Sequence, residues 1–195
     1  MMILEAAPTA RRAMIDCQLR VSGVNEPAVL AALDSVARED FVPAAMKANA
    51  YIDRAIALDD GHFLPAPLVH GRLLTEALPA AGETVLVVSA SGYLGALVAA
   101  LGGNVSTISP ADALSAKKKG EPVSLILIDG AIEQLPATLA ARLAEGGRIV
   151  TGTAERGVTR LASGRKVGGE VTLLPLADIG MPILTEFAAP KPWSF

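Results

Sequence analysis

A turn of small residues between an apolar run and an apolar helical pattern is the part of this chain best suited to hold a ligand. The stretch VLVVSASGYLGALVAAL contains it, and the candidate contact residues are Ser89, Ser91, Gly92 and Tyr93. Such a turn leads a strand into a helix N-terminus, where backbone N–H groups can bind the phosphate or nucleoside part of a cofactor. Nucleotide-binding turns normally carry more glycine. The stretch therefore predicts a strand, turn and helix, and leaves cofactor binding open.

Two other apolar runs also end in polar or small residues. VSTIS ends in Ser109, and VSLILID ends in Asp129, which Gly130 follows. Ligands of open α/β sheets lie beyond the carboxyl ends of the strands, so we expect Ser109, Asp129 and Gly130 to lie near the first turn. A turn or capping role for Asp129 is an equal alternative.

The elements that must position these residues follow an α/β pattern. From Thr84 onward, helical stretches separate the runs TVLVV, NVSTIS, VSLILID and GGRIVTGT, as is typical of a buried, mostly parallel sheet. GVTRLASGRKVGGEVTLLPL has two strand patterns around Gly168 and Gly169 without a helix between them, which predicts an antiparallel hairpin at the sheet edge. The combination predicts the class I methyltransferase (Rossmann-like) fold.

The N-terminal part has a different pattern. Residues 1–78 predict two helices, with Thr9 and Asn25 as N-caps, and then a turn-rich segment. Residues 79–195 form the predicted Rossmann-like core. We expect a single domain over 1–195.

Composition limits the function classes. Apolar residues make up 51% of the chain, but no apolar run approaches a membrane span and no secretory signal is evident, so we expect a cytoplasmic protein. Cys17 is the only cysteine, which excludes an internal disulfide and any multi-cysteine metal site. The net charge of −3 disfavours nucleic acid and anionic membranes as partners.

Two long motifs carry a family resemblance. MIDCQLRVSGVNEPAVLAALDSVAREDFVPAAMKANAYIDRAI closely resembles the N-terminal part of protein-L-isoaspartate O-methyltransferases, where QL, RE.FVP and Y.D recur. LIDGAIEQLPATLAARLAEGGRIV is similar to the family's strand followed by IP.AL..QL..GGR.V. The resemblance covers nearly the whole chain. It implies methyl transfer from S-adenosylmethionine to the α-carboxylate of isoaspartyl residues, the first step of protein repair.

The family's substrate loop, G.GQTIS.P, corresponds here to DDGHFLPAP. His62 stands for Gln, Phe63 for Thr, and Pro65 for the Ser that the resemblance implies is catalytic. Neither hydroxyl remains, so the resemblance predicts loss of the carboxylate-binding loop. His62 is a conceivable substitute base, but we favour a structural role, because a carboxylate ionised at neutral pH needs no base.

The positions that correspond to the family's cofactor-binding residues also lack the expected residue types. Val87 stands where the family has an acidic residue, and SAS precedes Gly92 with one residue deleted from G.GSGY. Side chains there restrict the close backbone approach that glycine permits. Ser109 stands where the resemblance implies an acidic ribose ligand.

The segment after Ser109 is short. The resemblance implies a helix, a strand and an adenine-contacting loop here, but the chain has only PADALSAKKKGEP. This segment predicts one helix capped by Ser109 and stopped at Gly120. The sheet should therefore lack its third strand. We interpret Lys117 to Lys119 as the solvated end of that helix rather than a nucleic-acid patch.

From these observations we expect a family member whose cofactor and substrate sites are degenerate. We expect methyl transfer to be weak or absent, no cofactor to be bound tightly, and a protein or peptide to be the partner. The alternative is an active S-adenosylmethionine-dependent methyltransferase acting on isoaspartyl residues. A repurposed small-ligand binder, using a cleft near Gly92 and Asp129, is a third hypothesis.

Overall fold

A six-stranded mixed sheet carries the candidate residues. The computed structural model describes residues 3–115 and 120–190. Its strands are β1 (Ile56–Ala57), β2 (Phe63–Leu64), β3 (Thr84–Val88), β4 (Asn104–Ile108), β5 (Val123–Ile132), β6 (Leu143–Glu155), β7 (Val158–Val167) and β8 (Glu170–Asp178). The main sheet has the order β4-β3-β5-β6-β7-β8, and β1 and β2 form a separate antiparallel pair. Strands β4, β3, β5 and β6 are parallel and the last two are antiparallel, as the sequence predicts.

The centre of the sheet is apolar on both faces. Val85 to Val88 are fully buried and pair in parallel with Leu125 to Ile128. Val85 and Leu125 pack towards the cluster that contains the N-terminal helices, whereas Leu86 belongs to the cluster on the opposite face. Burial on both faces explains why β3 and β5 are continuous apolar runs.

The helices are short and most of them flank the sheet. They are α1 (Ile3–Met14), α2 (Pro27–Ser35), α3 (Pro67–Ala77), α4 (Tyr93–Ala100), α5 (Pro110–Ala113) and α6 (Ala137–Arg142). Within residues 3–115 and 120–190, no helix has the length and apolar character needed to cross a membrane.

The two N-terminal caps were predicted wrongly. Helix α1 begins at Ile3, so Thr9 lies inside it, and the chain continues through a π-helical turn, Ile15–Leu19, to the predicted stop at Gly23. Helix α2 begins at Pro27 with Glu26, not Asn25, at its N-cap. Proline at the first helical position has the helical φ angle and needs no N–H partner there, which sets this boundary.

The segment after β4 is as short as predicted. Ser109 caps α5, because its Oγ accepts the Asp112 N–H at 3.1 Å. The predicted helix is too long, since α5 ends at Ala113, where the Ser115 N–H bonds three residues back to Asp112. Residues 109–115 and 120–122 contain no strand, so β4 is the sheet edge in the described chain. Lys117 to Lys119 lie outside the described residues.

The C-terminal hairpin is confirmed. Strands β7 and β8 are antiparallel and connect through Gly168 and Gly169, with φ angles of 62° and 85°. A two-residue hairpin turn of this kind needs positive φ at both positions, which glycine adopts without strain.

Candidate active site

The turn after β3 uses its own hydroxyl groups to hold its shape. Ser89 Oγ accepts the Gly92 N–H at 3.0 Å, and Ser91 Oγ accepts the Tyr93 N–H at 3.1 Å. Gly92 occupies the N-cap position of α4 with a φ of 78°. A Cβ placed on Gly92 would meet no atom within 4 Å, so the space beside this residue is open. The predicted strand, turn and helix are therefore present, with both serine side chains turned towards the backbone.

Asp129 lies beside this turn and is buried. Strand β5 continues to Ile132, so Asp129 lies inside the strand rather than after it, at an irregularity in the pairing with β6. It follows the last residue that pairs with β3. Its side chain is 2% exposed, and both of its oxygens accept hydrogen bonds, Oδ1 from His70 Nε2 at 2.9 Å and Oδ2 from Ser89 Oγ at 2.7 Å.

A fully buried arginine extends this network. The Arg38 guanidinium donates to the Ala50 carbonyl at 2.7 Å, to the Pro65 carbonyl at 2.5 Å and, through Nη1, to His70 Nδ1 at 3.3 Å. Arginine only donates, so His70 Nδ1 is the acceptor and its proton is on Nε2, facing Asp129. Burial lowers the pKa of His70, which favours this neutral form. We call the chain Arg38, His70, Asp129, Ser89 and the Gly92 N–H the Arg38 relay.

Tyr93 lies in the core beside the Arg38 relay. Its ring centroid is 5.2 Å from Arg38 Cζ and 5.1 Å from the His70 ring, which it meets edge-on. Burial raises the pKa of the Tyr93 hydroxyl, so the phenol stays neutral. The structure therefore brings Ser89, Ser91, Gly92 and Asp129 together, with Tyr93 inside the protein.

Ser109 and Gly130 have local structural roles. Ser109 caps α5 at the end of β4. A Cβ on Gly130 would lie 2.9 Å from Leu184 Cγ and 3.1 Å from the Pro182 carbonyl oxygen, so the C-terminal segment packs directly against this glycine. The space beside Gly130 is therefore filled by protein, in contrast to the space beside Gly92.

The substrate-loop positions lie on and next to β2. Phe63 is 47% exposed, whereas Pro65 is buried with its carbonyl bound to Arg38. His62 lies between two carboxylates, with Nε2 at 2.6 Å from Glu186 Oε1 and Nδ1 at 3.1 Å from Asp60 Oδ2. The hydrogen bond with Glu186 is the main cause that raises the pKa of His62. We call Asp60, His62 and Glu186 the His62 latch, because they connect the loop to the C-terminal segment.

The His62 latch should make stability depend on pH. The raised pKa of His62 means that its contribution is complete below its ordinary value of about 6.5 and is lost as the pH rises through the folded-state pKa. The pKa values of Asp60 and Glu186 are lowered. For Glu186, burial is the largest single effect and raises the pKa, but the hydrogen bond from His62, a backbone hydrogen bond and the charge of His62 together outweigh it. Their contributions are present above about pH 4.5 and are lost on acidification.

The test is urea unfolding of the wild type and His62→Gln at about pH 6 and about pH 9. We expect the wild type to exceed the variant in stability by more at the lower pH. Asp178→Asn, which removes a surface ion pair with Arg160, is the control without a pH-dependent difference in this range. An equal difference between wild type and His62→Gln at both pH values would contradict the latch.

Sequence reasoning missed Arg38 and His70. Only His70 has a detectable signal after the fact. His70 lies at helical spacing with Pro67 and Leu74 on the buried face of α3, so it is a polar residue at a core position. Arg38 stands in the RE.FVP motif, where the sequence gives no indication of burial.

Among residues 3–115 and 120–190, no group of three or more His, Cys, Asp or Glu could hold a metal ion.

Comparisons with known proteins agree on one family. The family model for protein-L-isoaspartate(D-aspartate) O-methyltransferase matches residues 10–118. A protein-L-isoaspartate O-methyltransferase of Koribacter versatilis is 31% identical over 193 residues, covering 86% of this chain and 87% of that protein. The protein of the same name from Herpetosiphon aurantiacus is 32% identical over 165 residues, covering 72% and 74%.

Solved structures give the same result for the fold. A structure described as a protein-L-isoaspartate O-methyltransferase from Plasmodium falciparum, in complex with S-adenosyl-L-homocysteine, has a TM-score of 0.72 at 16% identity. The match covers 93% of this chain and 99% of that one. A second protein-L-isoaspartate O-methyltransferase structure has a TM-score of 0.71 and covers 91% and 67%. The predicted class I methyltransferase fold is confirmed.

Proposed function

Because the chain belongs to the protein-L-isoaspartate(D-aspartate) O-methyltransferase family, we propose that it is a member in which S-adenosylmethionine-dependent methyl transfer is weak or absent and whose scaffold binds a protein or peptide.

The main support for this proposal is that both oxygens of the Asp129 carboxylate are already hydrogen-bonded. This carboxylate is the acidic group beside the turn after β3, and its two oxygens accept hydrogen bonds from His70 and Ser89. A carboxylate that is buried and bound on both oxygens has little capacity left for a ligand's hydroxyl or amino groups. If the Asp129 carboxylate left these hydrogen bonds to bind a ligand, the buried Arg38 would lose its nearby anion.

Ser109 and the substrate loop also support the proposed loss of methyl transfer. Ser109, at the position of the acidic ribose ligand, uses its hydroxyl to cap α5. In the substrate loop, the exposed Phe63 ring and the buried Pro65 take the places of the two hydroxyl residues. A carboxylate acceptor would meet an aromatic ring there instead of hydrogen-bond donors.

The second candidate is an active carboxyl methyltransferase with a cofactor held by other residues. The S-adenosyl-L-homocysteine in the Plasmodium falciparum structure and the open space beside Gly92 favour it. In that case the backbone N–H groups near the N-terminus of α4, with Ser91 beside them, would face the cofactor, which would supply the methyl group.

Titration calorimetry with S-adenosylmethionine and S-adenosylhomocysteine separates the two candidates. We expect no saturable binding at micromolar concentrations. Loss of several ligand hydrogen bonds, each contributing ~1 to 3 kcal/mol, weakens binding by orders of magnitude. The Koribacter versatilis relative, titrated under the same conditions, is the positive control. A dissociation constant in the low micromolar range for this chain would establish the active-enzyme alternative.

A further inference from the structure

The loop between β1 and β2 contains an exposed aspartate that is followed directly by glycine. The Leu58 N–H donates to the His62 carbonyl at 2.8 Å and closes this loop. The Asp60 side chain is 55% exposed, and Gly61 has a φ of 86° with no atom within 4 Å of a Cβ placed on it. Asp60 and Gly61 therefore lie at a loop tip, where packing restrains a covalent change least.

An aspartyl–glycyl pair can rearrange with water as the only co-reactant. The Gly61 amide nitrogen attacks Asp60 Cγ to close a five-membered succinimide ring, and the Cγ–OH bond breaks, so that the hydroxyl leaves with the amide proton as water. Water then adds to one of the two ring carbonyls. Addition at Cγ restores aspartate, whereas addition at the Asp60 backbone carbonyl carbon breaks its bond to the Gly61 nitrogen and leaves isoaspartate. Glycine favours ring closure because it has no Cβ to obstruct the attacking nitrogen.

The attacking nitrogen is held weakly. The Gly61 N–H donates to the Leu58 carbonyl across 3.4 Å, which is longer than the usual range for such a hydrogen bond. Little hydrogen-bond energy is therefore lost when this amide turns towards the Asp60 side chain.

The His62 latch restrains the carboxylate. Asp60 Oδ1 accepts the His62 N–H at 3.0 Å, Oδ2 lies 3.1 Å from His62 Nδ1, and Glu186 holds the same ring through Nε2. The bond from the His62 N–H is the main cause that lowers the pKa of Asp60. Ring closure needs the protonated carboxyl, because the oxygen leaves as hydroxyl, so contacts that hold the ionised carboxylate slow the reaction.

The chain contains a second aspartyl–glycyl pair, Asp129 and Gly130, in a setting that prevents the reaction. The Asp129 side chain is 2% exposed, and its two oxygens accept hydrogen bonds from His70 and Ser89. Gly130 packs against Leu184 within the extended strand β5. Ring closure there would break buried hydrogen bonds and displace the strand.

We propose that Asp60 is a site of spontaneous isoaspartate formation and that the His62 latch controls its rate. The conversion inserts one methylene group into the backbone of the loop and moves the free carboxylate from Cβ to Cα. The contacts of this carboxylate with His62 are then lost, so the latch opens on one side. The inference does not depend on whether the chain transfers methyl groups.

The test is incubation of the full chain at neutral pH without S-adenosylmethionine, followed by tryptic digestion and mass spectrometry with electron-transfer fragmentation. Trypsin separates the two pairs into peptides 55–72 and 120–142, and fragmentation distinguishes isoaspartate at residue 60 from isoaspartate at residue 59. A sample digested without incubation gives the background. We expect isoaspartate to accumulate at Asp60 and not at Asp129 in the folded chain, and at both positions in the chain unfolded by urea.

His62→Gln should accelerate the conversion at Asp60 about threefold, on the scale of one exposed ion pair. Lys47→Gln is the matched control, since it removes a different surface ion pair, with Asp40, and should leave the rate unchanged. Equal accumulation at the two positions of the folded chain would overturn the inference. So would its absence at Asp60 over a period in which the unfolded chain accumulates isoaspartate, or the same rate in the wild type and His62→Gln.

Discussion

Replacement of Arg38 by methionine is expected to lower the free energy of unfolding by about 3 to 5 kcal/mol. The side chain is fully buried and donates to the Ala50 and Pro65 carbonyls and to His70. Methionine has a similar length but donates nothing, so these acceptors stay buried without a partner. The Asp129 carboxylate also loses the buried cation that balances its charge.

Urea unfolding measures the effect, and Arg12→Met is the matched control. The Arg12 side chain is 68% exposed and pairs with Asp16 on the surface, so the same substitution there should cost at most about 1 kcal/mol. If Arg38→Met also costs less than about 1 kcal/mol, the Arg38 relay does not hold the fold together. Arg38→Lys should be intermediate, because one ammonium group retains the charge but not the three-way geometry.

Gly152→Ala is expected to lower the free energy of unfolding by about 1 to 3 kcal/mol. A Cβ at this position would lie 2.9 Å from the Ala131 Cα in the neighbouring strand and would overlap the Met181 side chain. Met181 can adjust by rotation, but the backbone of β5 cannot move without disturbing its own pairing. The same shift would disturb the C-terminal segment, because the Pro182 carbonyl accepts the Ala131 N–H of β5.

Thermal and urea unfolding of Gly152→Ala test this expectation, with Gly180→Ala as the control. A Cβ on Gly180 would meet nothing within 4 Å, so that variant should keep wild-type stability within about 0.5 kcal/mol. Equal stability of the two variants would show that the C-terminal segment does not pack tightly on the sheet.

The elements that the sequence predicts well are those set by local patterns. TVLVV and LILI are short continuous apolar runs, which are typical of a strand covered on both faces, and they lie in β3 and at the centre of β5. The hairpin follows from Gly168 and Gly169, which supply the turn conformation without any distant contact. The N-caps failed because Thr9 and Asn25 compete with a helix start at Ile3 and with proline at position 27.

The candidate site was predicted only in part, because its network is non-local. Ser89, Gly92 and Asp129 were expected to lie close together from the rule that parallel strands end at one edge of a sheet. Arg38 and His70 are 32 residues apart, and His70 and Asp129 are 59 apart. No periodicity or spacing rule connects such positions, and a lone charged residue is more often exposed than buried.

The Arg38 relay runs from the N-terminal helical segment through α3 and β5 to the first turn of α4. The side-chain bonds from Arg38 to His70, from His70 to Asp129 and from Ser89 to Asp129 each join separate stretches of the polypeptide, so none of these stretches can detach without leaving a buried polar group unsatisfied. Such a chain penalises partial opening and lets the segments separate mainly when the whole molecule unfolds. The backbone amides of α3 and of α4 should therefore exchange with deuterium at similar rates, set by unfolding of the whole molecule.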